Sequence, residues 1–574
     1  MNRTSTRKDP LLNIESYTYD NNGNVATVTD RKSQVTTSTY DPLNRRTAAT
    51  YHDSTSTNYT YDAGNRVTQV QEKDVSGTVT ATITRTYDGL DRLTNETTVQ
   101  GSVTYVYDNA SRRTSMTVAG QPAVTYGYDN ANRLTTITQG TSVVTLGYDN
   151  ADRRTSATYP NGNSIVYVYD AASQLTSLTY KQGASVIGDL TYTYDLAGNR
   201  IKVGGAFGRI TIPPALSTVS YNANNQQTTF GTNTETYDLN GNLSTVTEAG
   251  STATYTWNAR NQLMGISATG FSASFTYDSF GRRTGKTING VTTNFVYDGL
   301  NPVQEKAGAT VTANLLTGLG IDEFFQRTDG VGARALLTDA LGSTVALGDN
   351  TGTLQTQYTY EPYGYATASG QTNTNSYKYT GREDDGSGLF YYRARYYNPR
   401  LQRFIAEDPT GFKAGDTNFY AYVGNSPADF LDPLGLFESD PLLRATIPGQ
   451  VSWDNSVTDF QSGNYLGSGI NATAMLGEQM LFVLFVGQAK VAQQCLASSP
   501  LSLGQFTDWI RWGPTLVSRQ LIDGSGATGA AVTWGVKGGG TNSATGFSLS
   551  FHYHIHRYNW YRPWTWFQNT PILK

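Results

Sequence analysis

Twelve Tyr-Asp pairs mark the first three hundred residues of this 574-residue chain, at Tyr19, Tyr40, Tyr61, Tyr87, Tyr107, Tyr128, Tyr148, Tyr169, Tyr194, Tyr237, Tyr277 and Tyr297. Most neighbours stand 20 or 21 residues apart, and Tyr221-Asn222 and Trp257-Asn258 fill two gaps as altered copies. A fixed period of this length marks a repeat architecture, because one copy cannot bury its own apolar face and must stack on the next. In the copy TYTYDLAGNRI, residues 191–201, Thr and Tyr alternate with the period of a strand that has two unlike faces. Asp195 then starts a turn, and Gly198 and Asn199 tolerate the positive φ that a tight turn demands. Each copy reads as strand, turn, strand. Residues 17 to about 430 are therefore expected to form one continuous antiparallel sheet, and a sheet that long must curl.

Composition agrees, since 39 Tyr favour strands and 58 Gly favour turns. Charged residues are 15% of the chain and the formal net charge is −4, so charge indicates neither nucleic acid nor an anionic membrane as the main partner. One cysteine, Cys495, excludes an intrachain disulfide framework. The opening MNRTSTRKDP lacks the apolar stretch of a signal peptide. The expectation is export by another route, or a chain that is the tail of a longer protein.

The YD period and wording resemble the Rhs/YD-repeat family of bacterial Rhs toxins, Tc toxin C components and animal teneurins, whose sheet winds into a hollow shell. Beyond residue 300 come LLTDALGSTVAL, YTYEPYGYATASG, YKYTGREDDGSGLFYYRARYYNPRLQRFIAEDPTGF and NFYAYVGNSPADFLDPLGL. These resemble the Rhs-associated core module, with Gln402 where the family usually has Gly. The resemblance implies a lead-in at 1–16, a YD-repeat β shell at 17–310, a core module closing the shell at 311–436, and a variable cargo of mixed α+β structure at 437–574. It also implies an aspartyl protease acting on its own chain. The paired carboxylates would be Asp408 and Asp432, Arg395 would hold a carboxylate or the oxyanion, and the cut would fall between Leu436 and Phe437. On the residues alone, both Asp-Pro pairs also read as simple turn starters. Composition does not choose among Asp384, Asp385, Glu407 and these two aspartates.

After Leu436 the pattern changes. Seven of eight tryptophans and three of four histidines lie beyond it. In FHYHIHRYNWYRPWTWF, 551–567, alternate residues His552, His554 and His556 share one face of a strand. That face reads as hydrogen-bonded histidines beside aromatics, as a general base, or as two ligands of a zinc ion completed by Asp508 or Asp523. No cofactor is expected for the shell. The apolar run MLFVLFVG, 480–487, is too short to cross a bilayer, which needs about 20 residues. Two functions follow. The favoured one is a secreted or cell-surface toxin-delivery shell. Its partners would be its own cargo, a delivery component or a missing N-terminal portion, and a target cell. The alternative is an adhesion or wall-associated structural protein, which has no need of a cut after Leu436.

Overall fold

A computed structural model describes residues 3–216, 218–436, 532–536 and 551–555. The chain divides into two compact units, Met1–Met475 and Leu476–Lys574. In the first, a 19-stranded sheet runs as an antiparallel meander from Thr6–Lys8 to Arg200–Gly204. A 16-stranded meander follows from Val219–Tyr221 to Ala366–Gly370, and a four-stranded sheet from Glu383–Asp384 to Arg403–Phe404. Among the described residues the only helical pieces are three single 3₁₀ turns, at Tyr379–Gly381, Gly411–Ala414 and Val423–Asn425. The fold is all-β, as the alternation of Thr and Tyr requires. In the second unit, Val532–Val536 pairs antiparallel with Phe551–Ile555. The rest of 437–574, and with it the expected α+β fold, lies outside the described residues.

The turn at Asp108 shows why the period holds. One carboxylate oxygen, Oδ1, accepts the N–H groups of Ala110 and Arg112, both at 2.9 Å. The other, Oδ2, accepts Arg112 Nε at 2.7 Å. Between them Ser111 takes φ 62°. The same Arg112 reaches the next copy, donating to Asn132 Oδ1 at 2.8 Å and lying 4.8 Å over the Tyr128 ring. Tyr128 in turn donates its hydroxyl proton to the Arg113 carbonyl at 2.8 Å. Each turn is thus tied to the one about 20 residues on. The altered copies keep the ties with other chemistry. Trp257 replaces the tyrosine hydroxyl with its indole N–H, which donates to the Leu243 carbonyl at 2.8 Å. Where Asp becomes Asn258, the residue four on is Gln262, whose amide oxygen accepts Asn258 Nδ2 at 2.9 Å.

The expected single sheet over 17 to about 430 is three: the two long meanders and the four-stranded sheet. The meander stops at Gly204 and restarts at Val219. Gly205 has φ 94°, and a Cβ there would meet the Asp189 carbonyl oxygen at 2.5 Å. Pro213 and Pro214 then remove two consecutive ladder donors. Phe207 folds back edge-on to Tyr180, with centroids 5.1 Å apart, and closes that end of the core. The second sheet also runs unbroken through the 310/311 boundary expected from the loss of the period.

The two long sheets share one apolar core, which joins Tyr105, Met116, Ile137 and Leu178 to Val296, Phe325 and Leu337. Ion pairs tie them as well: Arg113 to Asp298 at 2.7 Å, Arg154 to Glu323 at 2.7 Å and, fully buried, Arg282 to Glu96 at 2.8 Å. Gln402, the residue that departs from Gly, sits at φ 61°. A Cβ in that region costs roughly 1–2 kcal/mol, so the departure strains the turn without removing it.

The turn tie predicts a graded cost. At the buried copy, Asp278 accepts Phe280 N–H at 3.0 Å, Arg282 N–H at 2.9 Å and Arg282 Nε at 2.8 Å. Asp278→Ala is expected to cost about 2–4 kcal/mol, seen as a lower urea midpoint at unchanged slope. Asp195→Ala, at an exposed turn, is expected to cost clearly less. Equal midpoints for the two variants would contradict the account.

Candidate functional site

Part of the repeat's turn recurs at both Asp-Pro pairs, one backbone N–H bond to Oδ1 at each. Asp408 Oδ1 accepts the N–H of Thr410 at 2.8 Å and its hydroxyl, and Gly411 takes φ 58° three residues on. Asp432 Oδ1 accepts the N–H of Leu436 at 3.0 Å, and Gly435 takes φ 70° three residues on. In most repeats the fourth residue after the aspartate is Arg, Asn or another polar group, as at Asp108, where Arg112 occupies Oδ2; Asp298, followed by Pro302, departs from this. At the Asp-Pro pairs that residue is Phe412 or Leu436, which has no donor in its side chain. Both Oδ2 atoms turn instead to one guanidinium nitrogen. Arg395 Nη2 stands 2.7 Å from Asp408 Oδ2 and 3.3 Å from Asp432 Oδ2.

Arg395 is also held by contacts other than the two aspartates. It opens the strand Arg395–Asn398, between Phe390–Tyr392 and Arg403–Phe404. Its guanidinium lies 3.6 Å from the centroid of the Phe404 ring, and Nη1 donates to the Phe419 carbonyl at 2.9 Å. Below the strand, Tyr379, Tyr392, Tyr397 and Tyr422 form a buried aromatic floor. Asp408 is 4% exposed, Asp432 2% and Arg395 5%. Burial pushes the Asp408 carboxyl up from its ordinary value; the opposing pull of Arg395 and the Thr410 bonds does not cancel it. A cavity of about 160 Å³ opens on Arg395, Asp408, Asp432 and Leu436, with Asp416, Asn418 and Phe419 on its walls. That space admits water.

The structure separates the carboxylates that composition left together. Asp384 binds Lys378 at 2.7 Å. Asp385 and Glu383 enclose Arg283 and Lys286 in a buried network, with Arg283 wholly inaccessible. Glu407 faces away and pairs with Arg31 at 2.7 Å. Asp408, Asp432 and Arg395 come together, and Leu436 joins them. Phe437 lies outside the described residues, as do His556, Asp508 and Asp523. His552 and His554 occupy alternate positions of Phe551–Ile555, in register with Gly535 and Thr533. Among the described residues no three His, Cys, Asp or Glu are placed to hold a metal, and no helix is long and apolar enough to cross a membrane.

Sequence reasoning missed one perturbed group near the core module. Glu235, on Asn233–Tyr237, is 4% exposed, and neither carboxylate oxygen has a partner in the structure. Burial raises its pKa to about 7, against a weaker lowering by Arg403. An acid raised on folding lends stability below its ordinary range near 4.5, and loses it as pH climbs to about 7. Glu235→Gln should therefore gain in melting temperature relative to the unchanged protein between pH 5 and pH 8.5. A difference that stays flat with pH would contradict this assignment.

Comparison with known proteins follows the same lines. Two family models match: Teneurin YD-shell over residues 155–428, and RHS Repeat over 19–55, 87–123 and 128–164. The tRNA nuclease WapA of Bacillus subtilis (strain 168) is 38% identical over 104 residues, 17% of this chain and 4% of that protein. Toxin subunit YenC1 of Yersinia entomophaga is 38% identical over 101 residues, 17% of this chain and 10% of that protein. Among solved structures, the Tc holotoxin pore of Photorhabdus luminescens aligns with 74% of this chain and 28% of its own, at a TM-score of 0.53 and 17% identity. This chain thus spans a small part of each relative's length, and the structural likeness is one of fold.

Proposed function

The chain is an Rhs/YD-repeat protein, and from that premise we propose that it is a toxin-encapsulating shell that cuts its own chain between Leu436 and Phe437 and holds residues 437–574 as an effector for delivery. The observation that carries this reading is Arg395 held between Asp408 and Asp432, with Asp432 bonded to the Leu436 amide beside a water-sized cavity. Asp432, ionised beside the guanidinium, takes a proton from a water in the cavity, and the water oxygen attacks the Leu436 carbonyl carbon. Arg395 stabilises the negative charge that develops. Asp408, whose proton burial retains, gives it to the Phe437 nitrogen as the C–N bond breaks. Leu436 leaves as a carboxylate and Phe437 as an amine. Tethering makes the step intramolecular, so a slow catalyst suffices for one cut.

On this reading the sheets enclose the C-terminal residues, together with further shell or a delivery component, and the protein acts outside the cell that makes it. A zinc ion on two of His552, His554 and His556 would serve the effector, not the shell. The teneurin match favours the second reading, surface adhesion, and the cut separates the two.

Purified protein is expected to run as 1–436 and 437–574 on a denaturing gel and to stay together under native conditions. Asp408→Asn or Asp432→Asn should leave one full-length chain, and Arg395→Ala should slow or stop the cut. Cutting should also weaken as pH rises through the raised Asp408 pKa, because the donor proton is lost. Intact protein in every case would reject the protease.

Residues 437–574 expressed alone should harm the host, while the full chain should not. Replacing His552, His554 and His556 with Ala should abolish the harm if that face works, and a charge at Val483 should do so if the apolar run does. Healthy growth with abundant soluble 437–574 would favour adhesion.

A further inference from the structure

The residues just before the expected cut are gripped along their length. Arg393 Nη1 donates to the Pro433 carbonyl, Ala394 N–H to the Leu434 carbonyl at 3.1 Å, and Arg395 Nε to the Gly435 carbonyl at 2.5 Å. Three consecutive residues thus bind three consecutive carbonyls. The two backbones touch, since a Cβ on Gly435 would stand 2.3 Å from the Tyr392 carbonyl oxygen. Leu434 and Leu436 are buried in an apolar seat with Leu300 and Ile321.

Arg393 is itself locked. Its guanidinium forks onto Asp322, at 2.7 Å to Oδ1 and 3.0 Å to Oδ2, and donates to the Leu300 carbonyl at 3.1 Å. Asp322 is 4% exposed, also binds Arg382, and donates its own backbone N–H to Asn301 Oδ1 at 2.8 Å. Arg393 holds φ 58°, where a side chain with a Cβ is strained. A strained arginine aimed at a carbonyl three residues before that of Leu436 is a feature that the two aspartates do not call for.

We propose that Arg393, locked by Asp322, and the seat formed by Leu300 and Ile321 are a clamp on residues 433–436 that sets which bond is cut and keeps the Leu436 end in place afterwards. The proposal rests on the reading that the chain is cut after Leu436. Arg393 acts as a positioning residue: it reaches the reacting bond through the segment it holds. Leu300 and Ile321 select an apolar side chain at position 436. Because the bound end does not leave, the site works once and admits no second peptide.

The test uses the full chain made by cell-free translation, with a time course on gels and intact masses for the fragments. Asp432→Asn is the uncut reference, and a synthetic peptide of residues 432–440 is the probe for cutting in trans. The unchanged chain should be cut after Leu436. Leu436→Asp and Arg393→Gly should be cut at least about tenfold more slowly, as misplacement of a reacting bond costs. Arg393→Gly also relieves the backbone, which offsets part of the stability lost with the Asp322 pair, and Arg393→Lys should recover part of the rate. If Arg393→Gly fails to fold, Leu436→Asp carries the test, since it leaves Arg393 and Asp322 in place. The peptide should remain whole. Cutting of Leu436→Asp and Arg393→Gly at the unchanged rate, or cutting of the peptide, would overturn the clamp while leaving the protease standing. An uncut, folded, unchanged chain would overturn both.

Discussion

An aspartate that ties two backbone N–H groups with one oxygen leaves the other oxygen to be claimed, and the fourth residue after it decides by what. At Asp108 the claimant is Arg112, which then reaches the next turn and the next tyrosine ring. Repeated along the first sheet, this single choice sets the spacing of the hairpins and converts marginal two-stranded units into one sheet. At Asp408 and Asp432 the fourth residues are Phe412 and Leu436, and the second carboxylate oxygens converge on Arg395. The repeat turn and the Arg395 cluster share an aspartate whose Oδ1 holds a backbone N–H, and they differ in the fourth residue.

A second arginine completes the architecture. Where two stand together, as in Arg112-Arg113 and Arg282-Arg283, strand alternation sends them to opposite faces. Arg112 and Arg282 hold their own turns, while Arg113 crosses to Asp298 of the second sheet and Arg283 holds Glu383 and Asp385 of the core module. Removing one member of such a pair strands a buried charge, so these contacts fix how the sheets and the module meet.

The period, the hairpins and the all-β class were legible in the sequence because each copy carries its own turn signal, as TYDLAGNRI does. The membership of Asp408, Asp432 and Arg395 in one cluster came from the family resemblance, and the geometry now supplies its local reason. That reason was readable too: an aspartate followed by Gly at the third position and an apolar residue at the fourth departs from the repeat at 408–412 and 432–436. Other features were not legible. The break at 205–218 depends on Gly205 packing against the Asp189 carbonyl, a contact distant from any period. The partners of Asp385 and Glu407 lie 102 and 376 residues away along the chain. Arg393 shows nothing in sequence of its φ of 58° or its hold on Pro433.

The central claim is that water, activated between Asp408 and Asp432 beside Arg395, opens the bond after Leu436. Folding the chain in water enriched in ¹⁸O and weighing the resulting fragment tests this most directly. The account predicts a fragment ending at Leu436 with one heavy oxygen in its new carboxylate, and no such fragment from Asp408→Asn. A folded chain that keeps its full-length mass, or a cut that persists unchanged in Asp408→Asn, would contradict it.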